Sequence, residues 1–312
     1  MPDKKYAQLG TITDPTPFVE YLTFVIEQGS CEELQEAISN IYAIAKSISQ
    51  KDGNAQLSVS FGISANGWES VFKDIPKPKN LHPFIELTNG NRKFPLTDGD
   101  IFIMIKSNRI DLNFQTAKYI RRAFLGLATL IDDIQGYKYL DNRDMIDFVD
   151  GTENPKDQER LDTVLVDDDI EIHKGGTYLI AQKYLDKNNL LPWDKEPVEY
   201  QEKVIGRTKL DNIELSDEEK PVWAHNAKSK VEENGEEQKM FRQNRPFGNA
   251  MEHGTMFVGF AADPNIIEIS LKQMITADKE GFYDRLLDFV EAVTGGLYFF
   301  PSAQLIDQIC ED

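Results

Sequence analysis

Histidine is scarce in this chain. Only His82, His173, His225 and His253 occur among its 312 residues, and none are spaced as HxH or HExxH. A mononuclear zinc site, which draws three or four ligands from side chains, is therefore not indicated. A metal held in a macrocycle, as iron is in haem, needs just one imidazole from the protein. His225 is the best placed for that duty, because Val222-Trp223-Ala224-His225 is an apolar interruption of the charged stretch 211–235. By spacing alone a structural or surface histidine is the better reading. His82 beside Pro83 and His173 before Lys174-Gly175-Gly176 read as turn residues, and nothing in its context singles out His253.

A second candidate is Asp147-Phe148-Val149-Asp150-Gly151-Thr152-Glu153-Asn154-Pro155. Asp-Gly and Asn-Pro are turn signals, so a surface turn with hydrogen-bonding side chains is one reading. The other is that Gly151 lets the backbone approach a flat ligand closely, with the Asp150 carboxylate pointing over it.

The elements that must position these residues alternate along the chain. Leu57-Ser58-Val59-Ser60-Phe61 alternates as a half-buried strand does, and Ile101-Phe102-Ile103-Met104-Ile105 is a continuous apolar run suited to a central strand. Residues 32–47 read as a helix, and Phe114, Ala117, Ile120, Phe124 and Leu127 mark one face of another. The second half repeats the order, with strands at 177–181, 256–260 and 297–300 and helices at 198–204, 266–275 and 282–293. These sets predict an α+β fold of two ferredoxin-like halves, each an antiparallel sheet with helices packed on it. The boundary is expected in the Asp-rich stretch 133–145, giving domains 1–140 and 141–312. Residues 211–235 read as a long irregular loop.

The net charge of −19 argues against binding a phosphate backbone. No run of 18 apolar residues exists for a membrane span, and Met1-Pro2-Asp3-Lys4-Lys5 opens no signal core. Cys31 and Cys310, with no CxxC spacing, indicate neither a disulfide framework nor a zinc site. A reduced, cytoplasmic setting is expected.

The stretch from Tyr139 to Pro155 resembles the signature of the dye-decolourising peroxidase family, with the aspartate of the GxxDG core falling on Asp150. Further matches follow in order: Gly175-Gly176-Thr177-Tyr178, Ile205-Gly206-Arg207-Thr208-Lys209, Ala224-His225, and Arg242-Gln243-Asn244-Arg245-Pro246-Phe247-Gly248. Asp284-Arg285-Leu286-Leu287-Asp288-Phe289 and Thr294-Gly295-Gly296-Leu297 complete the set, which covers nearly the whole chain. The short, insertion-poor length resembles the bacterial B-type branch. One departure is Asp147, where the motif has glycine. Aspartate tolerates left-handed backbone, and its charge is expected to raise the pKa of a neighbouring carboxylate.

The resemblance implies a dimeric α+β barrel-like fold and a haem b bound by the second domain. It implies that His225 ligates the iron, with Asp284 on its other ring nitrogen and Asp288 as the alternative partner. Asp150 would move the proton of hydrogen peroxide, Arg242 would stabilise the negative charge on the departing oxygen, and Asn244 would order water beside them. Arg207 is the implied partner of a haem carboxylate, and Gly151, Thr152, Glu153 and Asn154 are placed along the haem edge. Arg245 is read as structural or carboxylate-facing, and Met256 and Phe260 as packing on the porphyrin or as plain core. Small organic reductants, dyes or phenols, would supply single electrons, and a homo-oligomer is expected. A haem-binding or haem iron-handling protein without peroxidase turnover is the alternative that the same His225 would serve.

Overall fold

Ten strands form one sheet in the computed structural model, which describes residues 3–167 and 170–311. They are β1 (Phe18–Ile26), β2 (Ser58–Ser64), β3 (Ile101–Ser107), β4 (Ala128–Tyr137) and β5 (Thr177–Asp186), followed by β6 (Phe241–Arg242), β7 (Arg245–Gly248), β8 (His253–Ala261), β9 (Val290–Ala292) and β10 (Gly296–Phe300). Hydrogen bonding runs in the order β6-β8-β7-β4-β1-β3-β2-β10-β5-β9, and a further β8–β5 pairing closes the middle of the sheet into a ring. Within the first half the order is β4-β1-β3-β2, and within the second it is β10-β5-β8-β7. Numbered within each half, both read fourth-first-third-second, the ferredoxin-like arrangement expected from the alternation of elements. The halves join at β2–β10 and at the single pair Phe247↔Gly136 between β7 and β4.

Strand alternation divides the core in two. Val19, Tyr21, Phe102, Met104, Leu179, Val258 and Phe260 fill the barrel, while Leu22, Phe24, Phe61 and Ile103 face the helices outside. Of those helices, α1 (Cys31–Ser49) starts at a capping box in which Ser30 and Glu33 exchange hydrogen bonds of 3.2 and 2.8 Å. α2 (Ile110–Ala123) packs beside it. The second half carries α3 (Val198–Ile205), the short α4 (His225–Ser229) and α5 (Pro264–Ile275), the last opened by Asp263 with proline at its first turn.

Two expectations are corrected. Residues 282–293 are not a helix: Asp284 caps a 3-10 turn at Arg285–Asp288, and the chain then pairs with β5 as strand β9. The stretch 211–235 is not irregular throughout, since it contains α4 and the strand Val231–Glu233. Cys31 is a free thiol, and the side chain of Cys310 lies outside the described residues.

Candidate active site

His225 is the first residue of α4, and its ring is fixed from behind. Nδ1 lies 2.7 Å from Asp284 Oδ2. A carboxylate only accepts, so this contact places the proton on Nδ1 and leaves the Nε2 lone pair free for a metal. Nε2 has no protein partner among the described residues, and the ring lines a cavity of about 320 Å³. Asp284 is fully buried, accepts the Leu286 N–H at 2.9 Å through its other oxygen, and is tied by its own N–H to the Met274 carbonyl at the end of α5. Asp288, the alternative partner, instead meets the Tyr283 hydroxyl at 2.6 Å and Arg285 at 3.3 Å. The four-residue spacing of a helix face does not apply where no α-helix forms.

Asp150, Arg242 and Asn244 line the same cavity. The turn that carries Asp150 is built by Gly151, whose φ of +76° is left-handed. Its N–H donates to Asp150 Oδ1 at 2.6 Å, and Oδ2 is left without a protein partner among the described residues. The Asn154 side chain donates to the Arg242 carbonyl at 2.7 Å and accepts the Arg242 N–H at 2.9 Å, so the turn holds the strand that carries Arg242. The guanidinium of Arg242 makes no hydrogen bond or ion pair among the described residues. Asn244 accepts the Val258 N–H at 3.0 Å through Oδ1, leaving Nδ2 toward the cavity. A smaller pocket of about 190 Å³ adjoins, and Asp150, Arg242 and Asn244 border both spaces.

Several predicted residues sit differently. Gly151 and Asn154 border the smaller pocket and not the main cavity, because the tight turn folds them behind Asp150. Met256 and Phe260 point into the barrel, and it is Thr255 and Phe257, on the opposite side of β8, that reach the cavity. Arg245 is structural, with Nε and Nη2 on the Thr16 carbonyl at 3.0 and 2.8 Å. Arg207 lines the cavity edge with Glu153 and Thr152. Its Nη1 is 3.0 Å from Glu153 and 3.6 Å from Glu214, while Thr152 accepts from Asn212 at 2.7 Å. Asp147 takes the left-handed backbone expected of it, at φ +70°, but turns its carboxylate to Lys209 at 3.5 Å. His173, read as a turn residue, is buried against Trp68 and Phe299.

Two acids that the sequence does not single out also border the cavity. Asp144 lines the cavity, and burial, followed by the charge of Asp150, raises its carboxyl well above the usual range. Asp186 also lines it, accepts from His253 Nδ1 at 2.6 Å, and is raised by burial against the downward pull of that histidine. Neither carries a motif; their state follows from enclosure, which no local pattern reports.

Apolar side chains, Phe148, Ile267, Leu271, Met274 and Val290 among them, make up much of the remaining wall, and Ser270, Lys230 and Lys239 add polar groups to it. Among the described residues no group of three or more His, Cys, Asp or Glu is placed to hold a metal ion. A lone imidazole on an apolar cavity fits a metal whose other ligands arrive with it.

A ferredoxin-like barrel with one carboxylate-backed histidine and an unpaired guanidinium on a shared cavity defines a redox enzyme of the peroxidase class. The chain belongs to the Dyp-type peroxidase family: the family's N-terminal model matches residues 8–138 and its C-terminal model residues 141–305. The dye-decolorizing peroxidase of Rhodococcus erythropolis is 38% identical over 298 residues, covering 94% of this chain and 86% of that protein. Among solved structures, the encapsulated DyP-type peroxidase from Mycobacterium smegmatis superposes with a TM-score of 0.92 at 35% identity, covering 98% of each chain. A variant of DypB from Rhodococcus jostii, solved in complex with heme, gives a TM-score of 0.89 at 35% identity over 96% of each chain.

Proposed function

We propose that this peroxidase binds haem b in the 320 Å³ cavity through His225 Nε2 and uses it to reduce hydrogen peroxide while oxidising small dye or phenolic reductants one electron at a time. The observation that carries this reading is the pairing of a free, carboxylate-backed imidazole nitrogen with Asp150 and Arg242 on one cavity. Bound haem would supply the redox centre that gives electrons to peroxide and takes them back singly from the reductant; the protein's own groups manage protons and charge. The free Oδ2 of Asp150 takes a proton from one peroxide oxygen and returns it to the departing one, a transfer worth about 10²–10⁴-fold. The guanidinium of Arg242, without a partner among the described residues, offsets the negative charge that develops on that oxygen. Asn244 Nδ2 orders water or peroxide between them. Arg207 turns from the exposed Glu153 to a haem carboxylate, with Lys230 and Lys239 on the same cavity adding positive charge. Thr152 holds the segment that carries Arg207 by accepting from Asn212, and Glu153 stays beside it at the cavity edge.

In this reading residues 1–140 are the N-terminal ferredoxin-like domain and 141–312 the haem-binding one. Among the described residues no helix is long and apolar enough to cross a membrane. We place the protein in the cytoplasm, supported by the free thiol of Cys31, and as a homo-oligomer, supported by the exposed Phe114 and Leu125 on and just beyond α2. The net charge of −19 speaks against nucleic acid as a partner.

The visible spectrum of haem-loaded protein, before and after peroxide, tests the assignment. The parent is expected to shift its Soret band with peroxide and His225→Ala to lose the parent spectrum. Peroxide-driven dye oxidation is expected to fail in Asp150→Ala and Arg242→Ala. A parent that binds haem but never responds to peroxide would leave the haem-handling alternative instead.

A further inference from the structure

Arg242 and Asn244 face the cavity, while Gln243, between them, is fully buried on the reverse side of the same extended segment. That segment is held to β8 in one register, Arg242 opposite Gly259 and Arg245 opposite Met256, with the Gln243 N–H on the Val258 carbonyl at 2.9 Å. Main-chain pairing fixes where the strand runs. It does not fix its roll, which decides how far alternate side chains project, so the contacts of Gln243 matter.

Those contacts centre on Lys106. It is a buried residue of β3 whose side chain enters the barrel on the same face as Phe102 and Met104. Its Nζ donates to Gln243 Oε1 at 2.6 Å, to the carbonyls of Gly10 (2.8 Å), Thr13 (3.1 Å) and Asp14 (3.3 Å), and to Thr13 Oγ1 at 3.1 Å. Gln243 closes the circuit, its Nε2 donating to the Gly10 carbonyl at 2.9 Å and to the Thr11 carbonyl at 3.2 Å. One amino group thus ties together β3, the 10–14 segment and the strand of the peroxide-facing side chains. Asp14 and Pro15 lie just beyond, bordering the smaller pocket together with Asp150, Arg242 and Asn244.

Burying a lysine among apolar side chains is costly unless every donor is matched, and an apolar residue of similar length would fill the same space without that cost. Desolvation therefore gives no reason for this lysine, whereas the contacts of its amino group do. We propose that Lys106 is a positioning residue for the peroxide step: through Gln243 it sets the projection of Arg242 and Asn244 into the cavity, and through residues 10–14 it holds the wall behind them. The inference rests on the peroxidase reading for its consequence, but the coupling of the two segments does not.

Haem-loaded Lys106→Met and Gln243→Met variants test it by two readouts. Hydrogen–deuterium exchange is expected to rise about tenfold or more in both 8–16 and 241–246. The bimolecular rate with peroxide is expected to fall about 10–100-fold while the KM for the reducing dye stays within about twofold of the parent, a split that general loosening of the fold would not produce. Faster exchange confined to 8–16, with 241–246 and the peroxide rate as in the parent, would overturn the proposal. Should Lys106→Met fail to fold, Gln243→Met keeps the lysine and its other acceptors and decides alone. If the parent itself ignores peroxide, the peroxidase reading fails, and the exchange of 241–246 still decides whether Lys106 positions that strand.

Discussion

The ring of His225 is aimed by a carboxylate that has no solvent to turn to. Asp284 is fully buried and spends both oxygens, one on Nδ1 of His225 and one on the Leu286 N–H. Asp284→Asn keeps the shape and removes the charge, so the imidazole becomes a weaker electron donor without losing its place. Haem binding is expected to persist while the rate with peroxide, followed by stopped-flow absorbance, drops about 10–100-fold; an unchanged rate would mean that the charge is irrelevant to the metal. At this scale the sequence was informative where residues sit in an ordered set of motifs, as His225, Asp150, Arg242 and Asp284 do. It was silent on Asp144, which looks like any turn aspartate until it is enclosed beside Asp150. The charge at Asp147 drew attention to the right neighbourhood and the wrong residue, because Lys209 takes that carboxylate away.

The turn that ends at Asn154 supports the strand of Arg242 from the side. Its amide docks on the main chain of Arg242 as a neighbouring strand would, with bonds of 2.7 and 2.9 Å. Asn154→Ala therefore leaves the Arg242 main chain unsupported on that side. The expected result is a loss of about 1–3 kcal/mol in urea unfolding together with a roughly tenfold slower peroxide reaction; full retention of both would separate the turn from the strand. A docking amide of this kind cannot be read from Asn-Pro, which signals a turn and says nothing of what the turn touches. The same gap explains residues 282–293, where apolar spacing suggested a helix and pairing with β5 won instead.

For the molecule as a whole, one electrostatic liability lies on β1, outside the lining of the cavity. Glu20 of β1 is buried, and burial, then the charge of Asp133, pushes its carboxyl up to about 8. The folded chain keeps this proton where the unfolded chain, with a glutamate near 4.5, has released it. Stability is therefore expected to fall as pH rises between those values. Glu20→Gln removes the penalty, and its stability from urea unfolding should exceed the parent's at pH 8 by on the order of 4 kcal/mol, with little difference near pH 4. A variant less stable than the parent at pH 8 would show that the carboxylate is charged and well paired. The fold class was readable because both halves repeat one order of elements; how they close upon each other was not, since the joint between β7 and β4 is a single residue pair.

That closure has a bearing on how the protein behaves in a crowded solution. The closed sheet keeps one long selvedge, β4, which meets β7 at a single residue pair, and Asp132 and Asp133 on it set negative charge against a foreign strand. Its two loose hems, β6 and β9, are two and three residues long, too short to template growth. An acidic chain built this way can be abundant without knitting itself to its neighbours.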